Sequence, residues 1–344
     1  MSVKAAHRSA ESTNQTGKVM MKALSLAVAG VFALGASSAI AQTKWDLPAG
    51  YPATNFHSKN LVEFANDVRK ATNGKLDITV HAGASLFKVP EIKRAVQTGQ
   101  APIGELLMSV MENEDAVYGV DVVPFLATSY PESEKLWKAA KPVIEKKLGA
   151  QGLTVLYAVP WPPQGIYAKK DINTIEDMKG LKFRAYNAGT ARIAELVGAQ
   201  PVTIQAAELA QALATGVVNS FISSGSTGRD SKVWESLTHW YDTQAWLPNN
   251  LIFVNTAALN KLDAATKKAL MDAAVAAEAR GRKMSIEEAD SAKAALAQNG
   301  MKILPPSPAL ASGFRKIGET LTEDWLKKAG ADGKAIVDSY KKMM

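Results

Sequence analysis

One arginine in a short strand-like segment is the residue of this sequence best suited to binding an anion. In "MKGLKFRAYNAG", residues 178–189, alternation places three apolar residues on one face and Lys182, Arg184 and Tyr186 on the other. A guanidinium presents a planar fork of N–H donors that matches a carboxylate. The next segment supplies Asn187 or Thr190 as the cap of a helix whose first amides face an anion. A solvated arginine or an internal salt bridge is the alternative interpretation.

Motifs for catalysis or metal binding are scarce. Beyond residue 41 the three histidines, at positions 57, 81 and 239, stand far apart and form no HExxH pair. No G-x-S-x-G elbow, P-loop or G-x-G-x-x-G fingerprint occurs, and "SSGSTGRDS" at 223–231 indicates a plain turn. We therefore expect no enzymatic activity, no metal and no cofactor, with an enzyme as the less favoured class.

Tryptophans mark two segments that interrupt the regular pattern. Trp161 lies in "PWPPQG", residues 160–165, where three prolines in four positions stiffen the chain, and Trp246 lies in "WYDTQAWLPNN", residues 240–250. Both rings are compatible with a packed core. If the two segments run side by side as crossings between lobes, the rings gather where small-molecule sites are often found. Trp161 and Trp246 are therefore candidate ligand contacts.

The elements around these segments predict an α/β protein of two lobes. Strand-like runs alternate with helical runs of ten or more residues, which favours largely parallel sheets. We assign residues 42–160 plus about 250–285 to lobe I, and residues 161–249 plus about 286–344 to lobe II with the C-terminal helices. The two crossings would form a hinge, with the ligand cleft between the lobes.

The first 41 residues have the pattern of a cleavable signal peptide. Lys22 precedes the apolar run "ALSLAVAGVFALGA" and then "SSAIAQ", so we expect cleavage after Ala41. Residues 1–20 are polar and show no regular pattern. If these residues are an over-extended reading frame, translation starts at Met20 or Met21.

Composition narrows the partners and the compartment. Of 344 residues, 47% are hydrophobic and 21% charged, which is ordinary for globular domains. The net charge of +7 is spread over mixed Lys/Glu faces without interleaved aromatics, which argues against nucleic-acid binding. The chain has no cysteine, so disulfides and a lipid-anchoring cysteine are absent. An exported chain of this kind fits the bacterial periplasm.

The middle of the chain resembles the solute-binding proteins of TRAP transporters, the DctP-type family. The similar run is "KKDINTIEDMKGLKFRAYNAGTARIAELVGAQPVTIQAAELAQALATGVVNSF", with further matches in "FANDVRKATNGKLDITVHAGASLFKVPEIKRAVQTGQAPIG" and "VVPFL". The resemblance spans residues 44 to about 335, and "DMKGLKFR" is its most specific part. It implies a periplasmic binding protein fold whose lobes close around a small organic acid and deliver it to a sodium-driven TRAP membrane permease. A component of an ATP-driven importer is the alternative within binding proteins.

The resemblance also implies roles for individual residues. The arginine after "KGLK", here Arg184, would pair with the ligand carboxylate, and the family's asparagine just beyond it matches Asn187. Where acid-sugar-binding members can carry a second arginine, this chain has Gln164, so a doubly charged ligand is less expected. "NSFISS" replaces the family's D-G-Q-E-N-P, which moves that asparagine's contact to about Ser223. Among mono- and dicarboxylates, the sequence leans toward a monocarboxylate such as a keto, hydroxy or aromatic acid.

Overall fold

Three β-sheets organise residues 42–344, the part of the chain that the computed structural model describes. The predicted signal peptide and its cleavage site lie outside these residues. The strands, in chain order, are β1 (Thr43–Pro48), β2 (Leu76–His81), β3 (Ile103–Leu107), β4 (Leu153–Pro160), β5 (Gln164–Ala168), β6 (Lys182–Ala185), β7 (Gln200–Thr203), β8 (Ser220–Ser224), β9 (His239–Tyr241), β10 (Asn249–Asn255) and β11 (Lys302–Leu304). The helices are α1 (Phe56–Ala71), α2 (Val89–Gln97), α3 (Tyr130–Gly149), α4 (Ala188–Leu196), α5 (Leu209–Ala214), α6 (Gly225–Asp230), α7 (Thr256–Asn260), α8 (Ala264–Gln298) and α9 (Pro308–Lys341).

Antiparallel strand pairs are as frequent as parallel ones in residues 42–344, so the prediction of largely parallel sheets is wrong. Strands β1 and β2 form a parallel pair, β3, β10 and β4 form a second sheet, and the third has the order β11-β9-β5-β8-β6-β7. Strand β10 runs antiparallel to both of its neighbours, and β5 runs antiparallel to β8 and β9. Strand β10 returns to a sheet that the chain left at the end of β4, and it enters between two strands that run the opposite way. Residue alternation within a strand carries no information about that direction.

The two tryptophan-bearing segments run side by side, which is the condition under which the sequence analysis made their rings candidate ligand contacts. The amide of Trp161 donates to the carbonyl of Pro248 at 2.7 Å. The amide of Gln164 donates to the carbonyl of Trp246, and the amide of Ala245 donates back to Gln164, each at 3.1 Å. These bonds join the segment between β4 and β5 to the segment between β9 and β10.

Helix α8 connects distant parts of the structure. Its 35 residues extend over roughly 52 Å at 1.5 Å per residue. In its first half, the carbonyl of Ala277 accepts from Asn60 of α1 at 3.0 Å, and in its second half Glu288 pairs with Arg229 of α6 at 2.6 Å. None of the described helices is long and apolar enough to cross a membrane.

Two local details differ from the sequence analysis. The segment 223–231 is not a plain turn, because Ser224 caps the short helix α6 directly after β8. The run "PALASGFRKIGETLTEDWLKKAG", residues 308–330, predicts a last helix that ends at Gly330. In the structure Gly330 breaks helical geometry with φ of 57° but is followed by a further helical stretch to Lys341. Three side chains of that stretch, Ile336, Val337 and Tyr340, are buried in a core shared with the sheet of β3, β10 and β4.

Candidate ligand-binding site

A cavity with about 460 Å³ of empty space, part of it open to solvent, lies where the second and third sheets approach each other. Its lining combines aromatic rings, polar groups and aliphatic side chains: Tyr51, Trp161 and Tyr186; Gln164, Arg184, Gln205, Ser223 and Thr227; Val89, Leu107, Val110, Ala206 and Pro248. Arg184 is the one charged residue among them.

Strand pairing explains why three predicted residues meet at this cavity. Strands β6 and β8 are parallel neighbours, so Arg184 and Ser223 both lie near carboxyl ends at the same edge of the sheet. Strand β5 runs antiparallel to β8 and begins at that edge, where its first residue, Gln164, pairs with Ser224. Residues separated along the chain by about 20 and 40 positions thus converge on one side of the cavity.

Arg184 is buried, yet it has no anionic partner in the described chain. The residue is 3% exposed, and no carboxylate of residues 42–344 lies within 4 Å of its guanidinium. Its Nε donates to the carbonyl of Ile204 at 2.8 Å, and its Cζ lies 5.0 Å from the centre of the Tyr186 ring. Both alternative interpretations, a solvated arginine and an internal salt bridge, therefore fail for this residue.

The protonation of Arg184 fits an anion site. Burial lowers the pKa of its guanidinium to about 10, so the group keeps its positive charge at neutral pH. A buried charge without a partner is costly, because water no longer solvates it. A buried guanidinium that keeps its charge is a group to which an anion can bind.

Trp161 is the fourth predicted residue that lines the cavity, and both Trp161 and Gln164 are held by neighbours. Gln164 is 2% exposed, and its Nε2 donates to the carbonyl of Pro162 at 2.7 Å. The indole of Trp161 is 4% exposed, and its Nε1 donates to Oδ1 of Asn250 at 2.8 Å. These bonds fix the amide of Gln164 and the ring of Trp161 in place.

Asn187 and Trp246, the other two predicted residues, are near the cavity but do not line it. Asn187 caps α4, where its Oδ1 accepts from the amide of Thr190 at 2.8 Å, and its Nδ2 donates to Ser109 at 2.9 Å. Trp246 donates from Nε1 to the hydroxyl of Tyr186 at 3.0 Å. Trp246 thus holds Tyr186, which itself lines the cavity.

Sequence reasoning missed several lining residues because they come from distant or misread segments. Tyr51 follows β1 with no motif to mark it, and its ring meets Trp161 edge-on at 4.7 Å. Thr227 lies in the segment that was interpreted as a turn. Gln205 comes just after β7, which runs parallel to β6. Its position beyond the carboxyl end of a strand, where ligands bind in α/β sheets, was the signal that could have identified it.

Buried carboxylates stand behind the cavity wall. Glu105 of β3 accepts from Nδ2 of Asn250 at 2.7 Å, and burial raises the pKa of Glu105 to about 7. Asp121 accepts from the backbone of Asn249 at 2.7 Å, and burial raises its pKa to about 7 as well. Both carboxylates lie behind the residues that line the cavity and hold the start of β10. Among residues 42–344, no group of three or more His, Cys, Asp or Glu side chains could hold a metal ion.

The fold and the cavity together define a class of protein. The first sheet unit, built on β3, β10 and β4, and the second sheet unit, built on the six-stranded sheet, are joined by paired crossing segments and the long helix α8. The cavity where they approach each other holds a guanidinium that has no anionic partner among residues 42–344. This is the architecture of a two-lobed solute-binding protein that takes up a small acid between its lobes.

Comparison with known proteins assigns the family. The sequence profile of the DctP family, described as "bacterial extracellular solute-binding protein, family 7", matches residues 50–328. This chain belongs to that family, whose members are binding receptors and not enzymes, and the match does not support the ATP-driven importer alternative.

Solved relatives share the whole fold. DctP6 of Bordetella pertussis, an extracytoplasmic solute receptor that binds pyroglutamic acid, is 57% identical with a TM-score of 0.86, over 87% of this chain and 100% of that chain. A TRAP solute-binding protein from a marine metagenome, specific for pyroglutamate, is 50% identical with a TM-score of 0.86, over 88% and 99%. A curated solute-binding protein of Albidiferax ferrireducens is 24% identical over 224 residues, 63% of this chain and 65% of that relative, which is just under two thirds of its length.

Proposed function

We propose that this chain is the periplasmic receptor of a TRAP-type transporter and that its ligand is pyroglutamate or a close analogue, which it delivers to the membrane permease subunits. The observation that carries this proposal is Arg184, a buried cation in a small cavity that has no anionic partner among residues 42–344. Relatives 57% and 50% identical bind pyroglutamate, which supports the choice of ligand.

The chemistry of the cavity fits a small acid with one charge and a neutral polar body. Pyroglutamate has a single carboxylate, and its five-membered lactam ring carries one N–H donor and one carbonyl acceptor. Arg184 would bind the carboxylate through its fork of donors. Gln164, Ser223 and Thr227 are neutral groups that could hydrogen-bond the lactam, and Trp161 would pack against the ring. A second carboxylate would find no second cation in this lining.

Asn187 and Trp246 would contribute indirectly. Asn187 would hold the segment that follows Arg184, through its cap on α4 and its bond to Ser109. Trp246 would hold the Tyr186 ring against the ligand. In this proposal, both residues affect affinity through positioning and not through contact.

Ligand capture would occur by closure of two lobes about the paired crossings. The division proposed is residues 42–160 plus about 250–285 against residues 161–249 plus about 286–344. Strand pairing supports it, because β3, β10 and β4 pair with one another, whereas β5, β6, β8 and β9 belong to the other sheet. The stretch of α9 after Gly330, which packs in the core of the first sheet unit, would be an exception.

The proposed location is the periplasm, reached through a signal peptide that is removed after Ala41. The family is described as extracellular, which supports export. Sequencing the N-terminus of protein purified from the periplasm should give Gln42 as the first residue. An uncleaved chain in the membrane fraction would contradict this part of the proposal.

The decisive experiment combines ligand identification with a matched panel. Acid-denatured, freshly purified protein should release pyroglutamate, identified by mass spectrometry. After stripping and refolding, calorimetric titration should show tight binding of L-pyroglutamate. Cyclopentanecarboxylate, which keeps the ring and charge but lacks the lactam, and succinate, which adds a second charge, should bind much more weakly. Equal binding of the three acids, or no binding of L-pyroglutamate, would overturn the assignment.

A further inference from the structure

A carboxylate of the first sheet unit contacts the first turn of a helix in the other unit. Glu112 follows the short turn Met108–Met111 after β3, and its Oε1 accepts from the amide of Gly189 at 2.6 Å. Gly189 is the second residue of α4, which follows β6 and Arg184. Under the lobe division proposed above, this hydrogen bond joins lobe I to lobe II.

A second bond joins the same two segments. Nδ2 of Asn187 donates to the hydroxyl of Ser109 at 2.9 Å, and both side chains are buried. Asn187 lies three residues after Arg184, so the strand that presents the guanidinium leads directly into this contact. Closure of the cavity around Arg184 and docking of the segment at Glu112 onto α4 are thus geometrically linked.

The end of α4 is a favourable place for a carboxylate. The amides of a first helical turn lack partners within the helix, and the helix dipole is positive there. Asn187 already accepts from the amide of Thr190, which leaves the amides of Ala188 and Gly189 to face Glu112. Burial raises the pKa of Glu112, while those two amides and Lys328 act in the opposite direction and favour the charged form.

Gly119 makes room for this carboxylate. A Cβ atom at position 119 would lie 2.6 Å from Oε2 of Glu112 and 3.3 Å from its Cβ. Because the φ of Gly119 is not positive, alanine is compatible with the backbone there. The glycine is therefore explained by the space that the Glu112 side chain needs.

We propose that Glu112 is a positioning residue that holds the closed state and thereby sets how long the ligand stays bound. The proposal rests on the proposed function, since it assumes lobe closure around a ligand. Glu112 does not line the ligand cavity, so it acts without touching the ligand. Opening separates the carboxylate from α4 and removes a charge-assisted hydrogen bond, which makes opening slower than it would be without Glu112.

The test is stopped-flow measurement of L-pyroglutamate association and dissociation. Glu112→Ala should raise the dissociation rate about 3- to 30-fold with little change in the association rate, because one partly buried charge-assisted bond is lost. Gly119→Ala should do the same by displacing the carboxylate, and Glu112→Gln, which keeps an acceptor, should have a smaller effect. Glu63→Gln, the same change on an exposed part of α1, is the matched control. A dissociation rate of Glu112→Ala within twofold of wild type would overturn the proposal.

Distance measurements separate this proposal from the proposed function. The chain has no cysteine, so spin labels attach only at introduced Lys70→Cys and Glu235→Cys, which are exposed and lie in different proposed lobes. With saturating L-pyroglutamate, Glu112→Ala should keep a larger open population than wild type. If wild type itself does not bind L-pyroglutamate, the proposed function fails. The role of Glu112 is then decided by the distance distributions of ligand-free wild type and ligand-free Glu112→Ala, and identical distributions would refute that role. A lower melting temperature of ligand-free Glu112→Ala with unchanged distances would mean a merely structural residue and also refute it.

Discussion

The indole Nε1 of Trp161 donates a hydrogen bond to Oδ1 of Asn250, 2.8 Å away, and both residues are buried. Asn250 in turn donates from Nδ2 to Glu105 at 2.7 Å. One amide side chain thus links the first crossing segment, the returning strand β10 and strand β3. Because Trp161 lines the cavity, Asn250 is the residue that fixes the orientation of its ring.

Replacing Asn250 should therefore cost stability. Asn250→Ala leaves the indole N–H and the Glu105 carboxyl without their partners, and each buried unpaired group costs about 1–3 kcal/mol. We expect the free energy of unfolding to fall by about 2–4 kcal/mol in urea denaturation. Asn113→Ala, at an exposed position, should change it by less than about 0.5 kcal/mol. A loss below about 1 kcal/mol for Asn250→Ala would contradict this role.

The buried carboxyl of Glu105 should make stability depend on pH. Burial raises its folded-state pKa to about 7, above the value of about 4.3 in an unfolded chain. The folded protein therefore holds this proton more tightly. Its stabilising effect is fully present below about pH 4 and is lost as the pH rises through about 7. Asp121 shifts in the same direction.

Glu105→Gln removes this titration. The free energy of unfolding of wild type minus that of Glu105→Gln should fall by up to about 3 kcal/mol between about pH 4.5 and pH 8. In this difference, the pH dependence contributed by the other titrating groups cancels, because both proteins contain them. Urea denaturation at several pH values measures it, and a difference that stays constant across this range would show that Glu105 does not titrate as stated.

Gly165 should tolerate no side chain. A Cβ at this position would lie 2.5 Å from the carbonyl oxygen of Tyr241 and 2.6 Å from the indole of Trp240, so the neighbouring strand β9 would have to move. We expect Gly165→Ala to lower the free energy of unfolding by about 2 kcal/mol or more. Gly149, at the end of α3, faces open space, and Gly149→Ala should be neutral or stabilise by up to about 1 kcal/mol. Equal melting temperatures for the two variants would contradict the packing described.

Local signals in the sequence were sufficient for part of the site. Arg184 could be found because strand alternation and the residues around it are local, and the crossing of Trp161 was visible because prolines break the pattern. The sequence posed its pairing with the segment of Trp246 only as a condition, and the backbone hydrogen bonds of the structure show that the condition is met. Gln164 and Ser223 could be predicted only from the resemblance to the family. The pairing and direction of their strands are what bring them to the cavity.

The remaining features depend on contacts between residues distant in sequence. Tyr51 packs at the cavity against Trp161, about 110 residues away, and no pattern around Tyr51 indicates this contact. The antiparallel insertion of β10 depends on where the chain returns to its sheet, which residue alternation cannot specify. Gly330 has the local signature of a helix end, but burial of Tyr340 and its neighbours stabilises a second helical stretch.

Calorimetric titration of Arg184 variants with L-pyroglutamate measures whether this guanidinium binds the ligand carboxylate. We expect Arg184→Ala to lose about 2–5 kcal/mol of binding free energy, roughly 30-fold to several thousand-fold in affinity, because the ligand charge loses its partner. Arg184→Lys should also bind poorly, since an ammonium cannot reproduce the fork. Arg315→Ala, which removes an exposed arginine from α9, should bind like wild type, and ligand-free Arg184→Ala should stay folded because no internal carboxylate depends on it. Binding by Arg184→Ala within about threefold of wild type, a difference of only ~0.7 kcal/mol, would contradict the account.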